Sequence, residues 1–104
     1  MNVGRMRYRI EVEDLIKITD RDGFVSEEWI PFAEVWADIT SLSGKEYFES
    51  TQDLSEVTSK IYIRQLKGIK TTMRIRYKDR FFNIQSILPD DRHGIITIMA
   101  KEVL

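Results

Sequence analysis

Hydrophobic and polar residues alternate along most of the chain, with the period of two that is typical of half-buried β-strands. The first alternating run has four apolar residues on one face: Met6, Tyr8, Ile10 and Val12. Residues 20–23 have turn chemistry, with Gly23 suited to a positive φ angle, and predict a hairpin. The second strand of this hairpin is predicted over residues 28–39, with an irregularity at Pro31, which lacks a backbone N–H.

The same alternation predicts four more strands after residue 56. The third covers residues 57–64, and a loop over residues 65–70 leads to the fourth, which contains Met73, Ile75 and Tyr77. The fifth, over residues 81–88, has Phe82 and Ile84 facing inward. After a loop over residues 89–94, Ile96, Ile98 and Ala100 face inward along the last strand. The pattern predicts a mainly β fold, a small antiparallel barrel of about six strands, because closure removes exposed strand edges.

The alternation stops between the second and third strands, where a helix signal appears. Residues 43–46 read Ser-Gly-Lys-Glu, which has the form of a capping box, and Leu42 and Tyr47 are placed to form a hydrophobic staple. Residues 45–54 continue with helical spacing of semi-apolar residues. We therefore predict one short helix inserted between strands 2 and 3, within residues 41–59.

Composition indicates one soluble globular domain over residues 1–104 and gives no support for an enzyme. The chain is 42% hydrophobic and 32% charged, has no cysteine and has a single histidine, His93. These counts exclude disulfides and thiolate metal sites and leave too few ligands for zinc. The N-terminal residues show no secretory signal and no apolar run long enough to span a membrane. Asp90 and Asp91 are adjacent in a predicted turn, where their side chains point apart, so we predict no catalytic residues and no cofactor.

Residues 20–28 resemble part of a calcium-binding loop, since Asp20 and Asp22 are followed by Gly23. On the twelve-residue EF-hand pattern, however, the first ligand position is Ile18 and the bidentate glutamate position is Trp29. Neither residue is a calcium ligand, and the flanks are predicted strands rather than helices. We interpret the aspartates as turn formers.

The net charge of −1 conceals a segregation along the chain. The formal charge is +3 over residues 1–10, −10 over residues 11–56, +7 over residues 57–80 and −1 over residues 81–104. One interpretation is solvated strand faces whose grouping is chance. The other is an acidic and a basic face that join subunits head to tail. Trp36, on the polar side of its strand, fits either a partner contact or a ring lying over a neighbouring strand.

The basic segment 60–80 supports a rival hypothesis. It carries eight basic residues and is interleaved with aromatic residues, as in small barrels that bind single-stranded nucleic acid. The pI near 5.8 does not favour tight, salt-sensitive binding by an isolated subunit.

In succession, these blocks resemble the phage head-tail joining family, the head-tail adaptors or head-completion proteins of the SPP1 type. The resemblance runs from NVGRMRYRIEVE through DRDGFVSEEW, FAEVWADITSLSGKEYFES and EVTSKIYIR to MRIRYKDRFFNIQSILPDDRHGIITIMAKEV. It implies a structural virion protein that forms a ring of about twelve copies under the portal. Such a ring extends or closes the DNA channel and presents a docking surface for the tail, without catalysis or cofactors.

The resemblance also implies partners and site residues. The expected partners are copies of the chain, the portal or adaptor protein above, tail proteins below, and passing double-stranded DNA. The subunit is expected to assemble in the host cytoplasm and to stay monomeric until a template is offered. The segment around residues 41–59 is expected to face the channel through Ser43, Gly44, Glu46, Tyr47, Phe48 and Glu49. Candidate subunit contacts are Arg64, Lys67, Arg74, Arg76, Glu34, Asp38 and Trp36.

Overall fold

The computed structural model describes residues 6–41, 58–90 and 94–103. These residues form six strands: β1 (Tyr8–Thr19), β2 (Val25–Ser41), β3 (Ser59–Arg64), β4 (Arg74–Tyr77), β5 (Arg80–Asp90) and β6 (Ile95–Val103). The strands close into a barrel in the order β1-β2-β3-β6-β5-β4, with β4 returning to β1 and every pair antiparallel. The predicted mainly β barrel is confirmed. The predicted helix over residues 45–54 lies outside the described residues.

The barrel interior is filled by one face of each strand. Val12, Ile61, Ile63, Ile75 and Phe82 are fully buried there. The inward positions predicted for Phe82 and for the last strand are confirmed. Ile95 and Met99, which alternation places on the outer face of β6, are buried as well.

Two bulges adjust the register of the barrel. Val12 pairs with Ala33 while Glu13 pairs with Pro31, so Phe32 is the extra residue of β2. This confirms the irregularity predicted at Pro31. In β5, Gln85 is the extra residue between the pairs of Ile84 and Ser86 with β6. A bulge strengthens local twist, which helps a short sheet to close.

Two strands are longer than the sequence indicated. Strand β2 begins at Val25 rather than at residue 28 and ends at Ser41 rather than at residue 39. Strand β5 continues through Pro89 to Asp90, where a loop over residues 89–94 was predicted. That prediction was wrong at its first two residues. Strand β4 pairs with β5 only over Arg80–Asn83, so among the described strands the edge of β5 that faces away from β6 has no partner near Pro89. An unpaired edge of this kind tolerates proline.

Strands β1 and β2 extend beyond the barrel as a two-stranded hairpin, residues 14–30, which we call the arm. Strand β4 pairs with β1 only over Glu11–Glu13, and β3 pairs with β2 only over Ala37–Ser41. The arm makes the molecule elongated, with extents of 51 × 28 × 26 Å.

The strand directions define two ends of the barrel. The arm and the β3–β4 loop lie at one end. Ser41, Thr58 and the β4–β5 turn lie at the opposite end. The two residues that flank segment 42–57 are therefore at the end away from the arm.

The tip of the arm is closed by Asp20. Its Oδ1 accepts hydrogen bonds from the backbone N–H groups of Asp22 and Phe24, both at 2.9 Å, and Gly23 has a φ angle of 84°. The interpretation of Asp20 as a turn former is confirmed, and Asp22 lies in the same turn. Over the described ranges, no group of three or more acidic or histidine side chains is arranged to hold a metal ion.

Candidate assembly surfaces

The predicted contact residues that belong to strands all lie on the outer face of the barrel. The register pairs Glu34 with Glu11, Asp38 with Tyr62, and Arg74 with Glu13, opposite the inward face that contains Val12. Lys67 lies in the exposed β3–β4 loop. The predicted channel residues, Ser43, Gly44, Glu46, Tyr47, Phe48 and Glu49, fall outside the described residues.

Arg74 is held within its own subunit at the base of the arm. Its Nε donates a hydrogen bond to Glu13 Oε1 at 2.7 Å, and its Cζ lies 4.2 Å from the Trp29 ring centroid and 4.3 Å from that of Phe81. The side chain of Glu13 is only 8% exposed. Because Trp29 belongs to β2 and Arg74 to β4, this cluster spans β1 and fastens the arm to the barrel. Arg74, which was a candidate for contacts between subunits, thus makes its contacts within its own subunit.

A second contact fastens the arm base on its other side. Phe32, the bulged residue, lies under the β3–β4 loop at Gly68, where an added Cβ would come within 3.1 Å of the Phe32 ring. Gly68 also has a φ angle of 91°, which side chains rarely adopt. Glycine at this position lets the loop pack against the ring.

The acidic and basic segments of the sequence meet partly inside one subunit. Pairing of β1 with β4 sets Glu11 beside Arg76 and Glu13 beside Arg74. Arg9 Nε also donates to Glu34 Oε1 at 2.8 Å. These pairs neutralise part of the charge segregation within one subunit, so the paired side chains contribute less to contacts between subunits.

The pKa of Glu11 is shifted by its charged neighbours, Glu13 and Arg76. A hydrogen bond with Glu13 raises its pKa, as does burial, while the charge of Arg76 opposes the rise. A carboxyl whose pKa is higher in the folded state costs stability once it ionises at neutral pH. Arg76 in turn donates through Nε to the Lys78 carbonyl at 2.9 Å, which orders the β4–β5 turn.

Trp36 forms the wall of a groove on the outer face. Its ring lies 5.1 Å from the Arg9 guanidinium carbon on the neighbouring strand, yet the residue remains 52% exposed. The groove has a volume of about 370 Å³ and is lined by Met6, Arg9, Glu34, Val35, Trp36 and Arg64. Of the predicted contact residues, the fold thus brings Trp36, Glu34 and Arg64 together.

The arm carries exposed apolar side chains that the sequence did not identify as a separate surface. Phe24 at its tip is 71% exposed and Val25 is 61% exposed, and Leu15 and Ile18 are exposed along the shaft. The sequence signal that could have revealed the arm is the length of the alternating runs. The two runs on either side of residues 20–23 are longer than the later ones. The strand pairing is what shows that these residues extend past the barrel.

An ion pair joins β5 to β6 at the end of their ladder that lies away from the arm. Arg80 donates to both carboxylate oxygens of Glu102, from Nε at 2.9 Å and from Nη2 at 2.8 Å. These hydrogen bonds lower the pKa of Glu102 below its ordinary value of 4.5. The pair is partly exposed, so its contribution is reduced by solvent.

Glu102→Gln is expected to lower the free energy of unfolding at pH 7 by less than about 1 kcal/mol. Since the folded-state pKa is the lower one, the stabilisation is present above pH 4.5 and is lost as pH falls below it. Urea unfolding from pH 7 into acid should show the gap between wild type and variant closing below pH 4.5, with Asp79→Asn as the control. A gap that does not change with pH would contradict this assignment.

The described residues define a class of protein. They form a closed barrel with charged and aromatic residues on its outer face and an arm that exposes both carboxylates and apolar side chains, an arrangement that offers surfaces for assembly. The described part of the chain contains no helix that is long and apolar enough to cross a membrane.

The comparisons with known proteins identify the family. The family model for phage head completion protein matches residues 1–103, and the chain belongs to this family of structural virion proteins. No curated protein matches the chain.

Two solved structures share the fold over nearly the whole chain. Protein SF1141 from Shigella flexneri 2a is 33% identical, with a TM-score of 0.83, and the match covers 98% of this chain and 96% of that one. A chain from the virion of a native gene transfer agent particle is 25% identical, with a TM-score of 0.67, covering 95% of this chain and 96% of that one. The resemblance seen in the sequence is confirmed, and the family supports a structural role at the head and tail of the particle.

Proposed function

We propose that the protein forms a ring in the phage head-tail connector, under the portal, where it extends or closes the DNA channel and offers a docking surface to the tail. The observation that carries this proposal is the match of residues 1–103 to the phage head completion family. The similar chain in a gene transfer agent virion supports it. The proposed ring has about twelve copies, as a closed cyclic assembly.

We assign the channel-facing role to the segment around residues 41–59. Ser41 and Thr58, the residues that flank segment 42–57, lie together at the barrel end away from the arm. The chain therefore leaves the barrel and returns to it at the same end. Its sequence contains one basic residue, Lys45, and four acidic residues: Glu46, Glu49, Asp53 and Glu56. A surface poor in lysine and arginine makes few phosphate contacts, so double-stranded DNA passes without being held.

The subunit contacts in this proposal are heterologous. Arg64 and Lys67 remain exposed after the internal ion pairs are made, and carboxylates concentrate on the arm. The portal or adaptor lies above the ring and tail proteins lie below it. The subunit is made in the host cytoplasm, stays monomeric until this template is offered, and then becomes part of the virion.

The rival function, a single-stranded nucleic-acid-binding barrel, loses support from the structure. Two of the basic residues of segment 60–80, Arg74 and Arg80, pair with Glu13 and Glu102. Phe81, a candidate stacking platform, is covered by Arg74. Fluorescence anisotropy at moderate salt tests the rival, since micromolar or tighter binding of a single strand by the monomer would favour it.

Replacing residues 44–56 with a short Gly-Ser linker tests the role of the segment. With heads that lack the native protein, we expect the variant ring to assemble and most filled heads to lose their DNA. The measurements are ring occupancy by electron microscopy and packaged DNA after nuclease treatment. Lys45→Ala, which keeps the length and apolar residues of the segment, is the control. Loss of ring assembly in the linker variant would show that the segment builds the ring rather than gates it.

A further inference from the structure

We propose that the arm of one subunit packs on the outer face of the next, with Phe24 at its tip seated in the neighbouring groove beside Trp36 and Arg64. This inference rests on the proposed ring and names the surfaces that build it. The occupant of the groove is therefore a second copy of this chain.

The arm has the properties of an element that is covered in an assembly. It consists of two strands extending beyond the barrel, and a two-stranded hairpin is marginally stable in water without further packing. Apolar side chains are exposed on both of its faces, with Ile18 on the face that continues the barrel interior and Leu15 on the other. At the tip, Phe24 and Val25 are neighbours in the chain and both are exposed, and clustered exposed apolar side chains of this kind mark a protein contact.

Charge favours a second copy as the partner. The arm, residues 14–30, carries five carboxylates and two basic side chains. Arg64 lines the groove, and the β3–β4 loop that follows it in the chain carries two exposed lysines, Lys67 and Lys70. The carboxylate in the groove lining, Glu34, is paired with Arg9. An acidic arm with an aromatic tip therefore complements a groove that contains Trp36 and has Arg64 and the lysines of the loop beside it. The carboxylates of the arm also disfavour a nucleic acid as its partner.

The placement of the two surfaces determines the symmetry. The groove lies on the side of the barrel, while the tip of the arm lies beyond one barrel end. Two different patches of one chain form a head-to-tail contact, which closes into a ring when the rotation between subunits allows it. A contact between two arms would instead be isologous and would stop at a dimer.

Disulfide trapping tests this contact directly, because the chain has no cysteine. In rings assembled on heads, the double variant Phe24→Cys with Arg64→Cys should oxidise to a ladder of covalent multimers. The control pair, Phe24→Cys with Lys101→Cys, places the second cysteine on another part of the outer face and should give no ladder. A covalent dimer from Phe24→Cys alone would show that two arms meet, and would overturn the proposal.

Phe24→Ser supplies a second, independent readout. Because Phe24 is 71% exposed, the variant should fold normally and ring formation should fall about tenfold, the effect of losing an aromatic anchor. Val103→Ser, an exposed apolar residue away from the arm, is the matched control and should assemble like wild type. Normal rings from Phe24→Ser, or rings without the ladder, overturn the arm contact and leave the proposed function intact. Wild-type protein that forms no ring on heads overturns both.

Discussion

Arg74→Ala is expected to lower the free energy of unfolding by about 2–3 kcal/mol, because it leaves the Glu13 carboxylate unpaired in a buried position. The side chain of Glu13 is 8% exposed and its hydrogen bond to Arg74 is 2.7 Å long. The substitution also removes the cation that lies between Trp29 and Phe81. Since this cluster joins the arm to β4, the arm should lose its fixed orientation as well.

Urea unfolding followed by circular dichroism measures the stability, and hydrogen exchange of residues 14–30 measures the freedom of the arm. Arg76→Ala is the control, because its neighbour Glu11 is less buried and the loss should be under about 0.5 kcal/mol. The double variant Glu13→Gln with Arg74→Met should recover part of the lost stability, because it leaves no buried charge. Equal effects of Arg74→Ala and Arg76→Ala would contradict the structural role of Arg74.

Phe82→Ala is expected to have the largest effect on stability, a loss of about 3–5 kcal/mol. Phe82 is fully buried in the barrel interior, where it packs among isoleucines from other strands. The barrel is small, so its neighbours have little freedom to fill the cavity. A loss of this size is a large fraction of the 5–15 kcal/mol that is typical of a domain.

Thermal and urea unfolding of the purified protein measure this loss. Leu88→Ala is the matched control on the same strand, since Leu88 is 50% exposed and its truncation should cost under about 1 kcal/mol. The two variants differ in whether the removed side chain faces the core. Similar losses for Phe82→Ala and Leu88→Ala would show that the inward face of β5 has been assigned wrongly.

The fold was largely predictable from local pattern. A period of two identifies which face of each strand is buried, and Val12, Ile61, Phe82 and Ile98 all occupy the predicted side. Turn residues such as Gly23 limited the choice of connections. Closure then followed from length and from the small number of strands.

The candidate surfaces were less predictable because they depend on which strands become neighbours. Strands β1 and β4 are far apart in sequence, so the pairing of Glu13 with Arg74 could not be read from charge blocks. The arm was missed for the same reason, since a strand that continues past its neighbours has the same alternation as one inside the barrel. Trp36 was recognised as a candidate, but its groove also needs Arg9 and Arg64 from two other strands.

The family relationship and the structure together place the protein in the virion as a structural component. In our account, the barrel separates the arm at one end from Ser41 and Thr58, the residues that flank segment 42–57, at the other end. We propose that the arm joins subunits into the ring and that segment 42–57 faces the channel. Substitutions in the arm should therefore affect ring assembly, while substitutions in segment 42–57 should affect the channel.

Electron microscopy of particles that carry a tagged copy of this chain tests the central claim most directly. We expect the tag at the junction between head and tail, as a ring of about twelve copies, and we expect particles without the protein to have heads but no tail. A tag distributed over the capsid or along the tail, or particles without the protein that join heads to tails at the wild-type rate, would contradict the account.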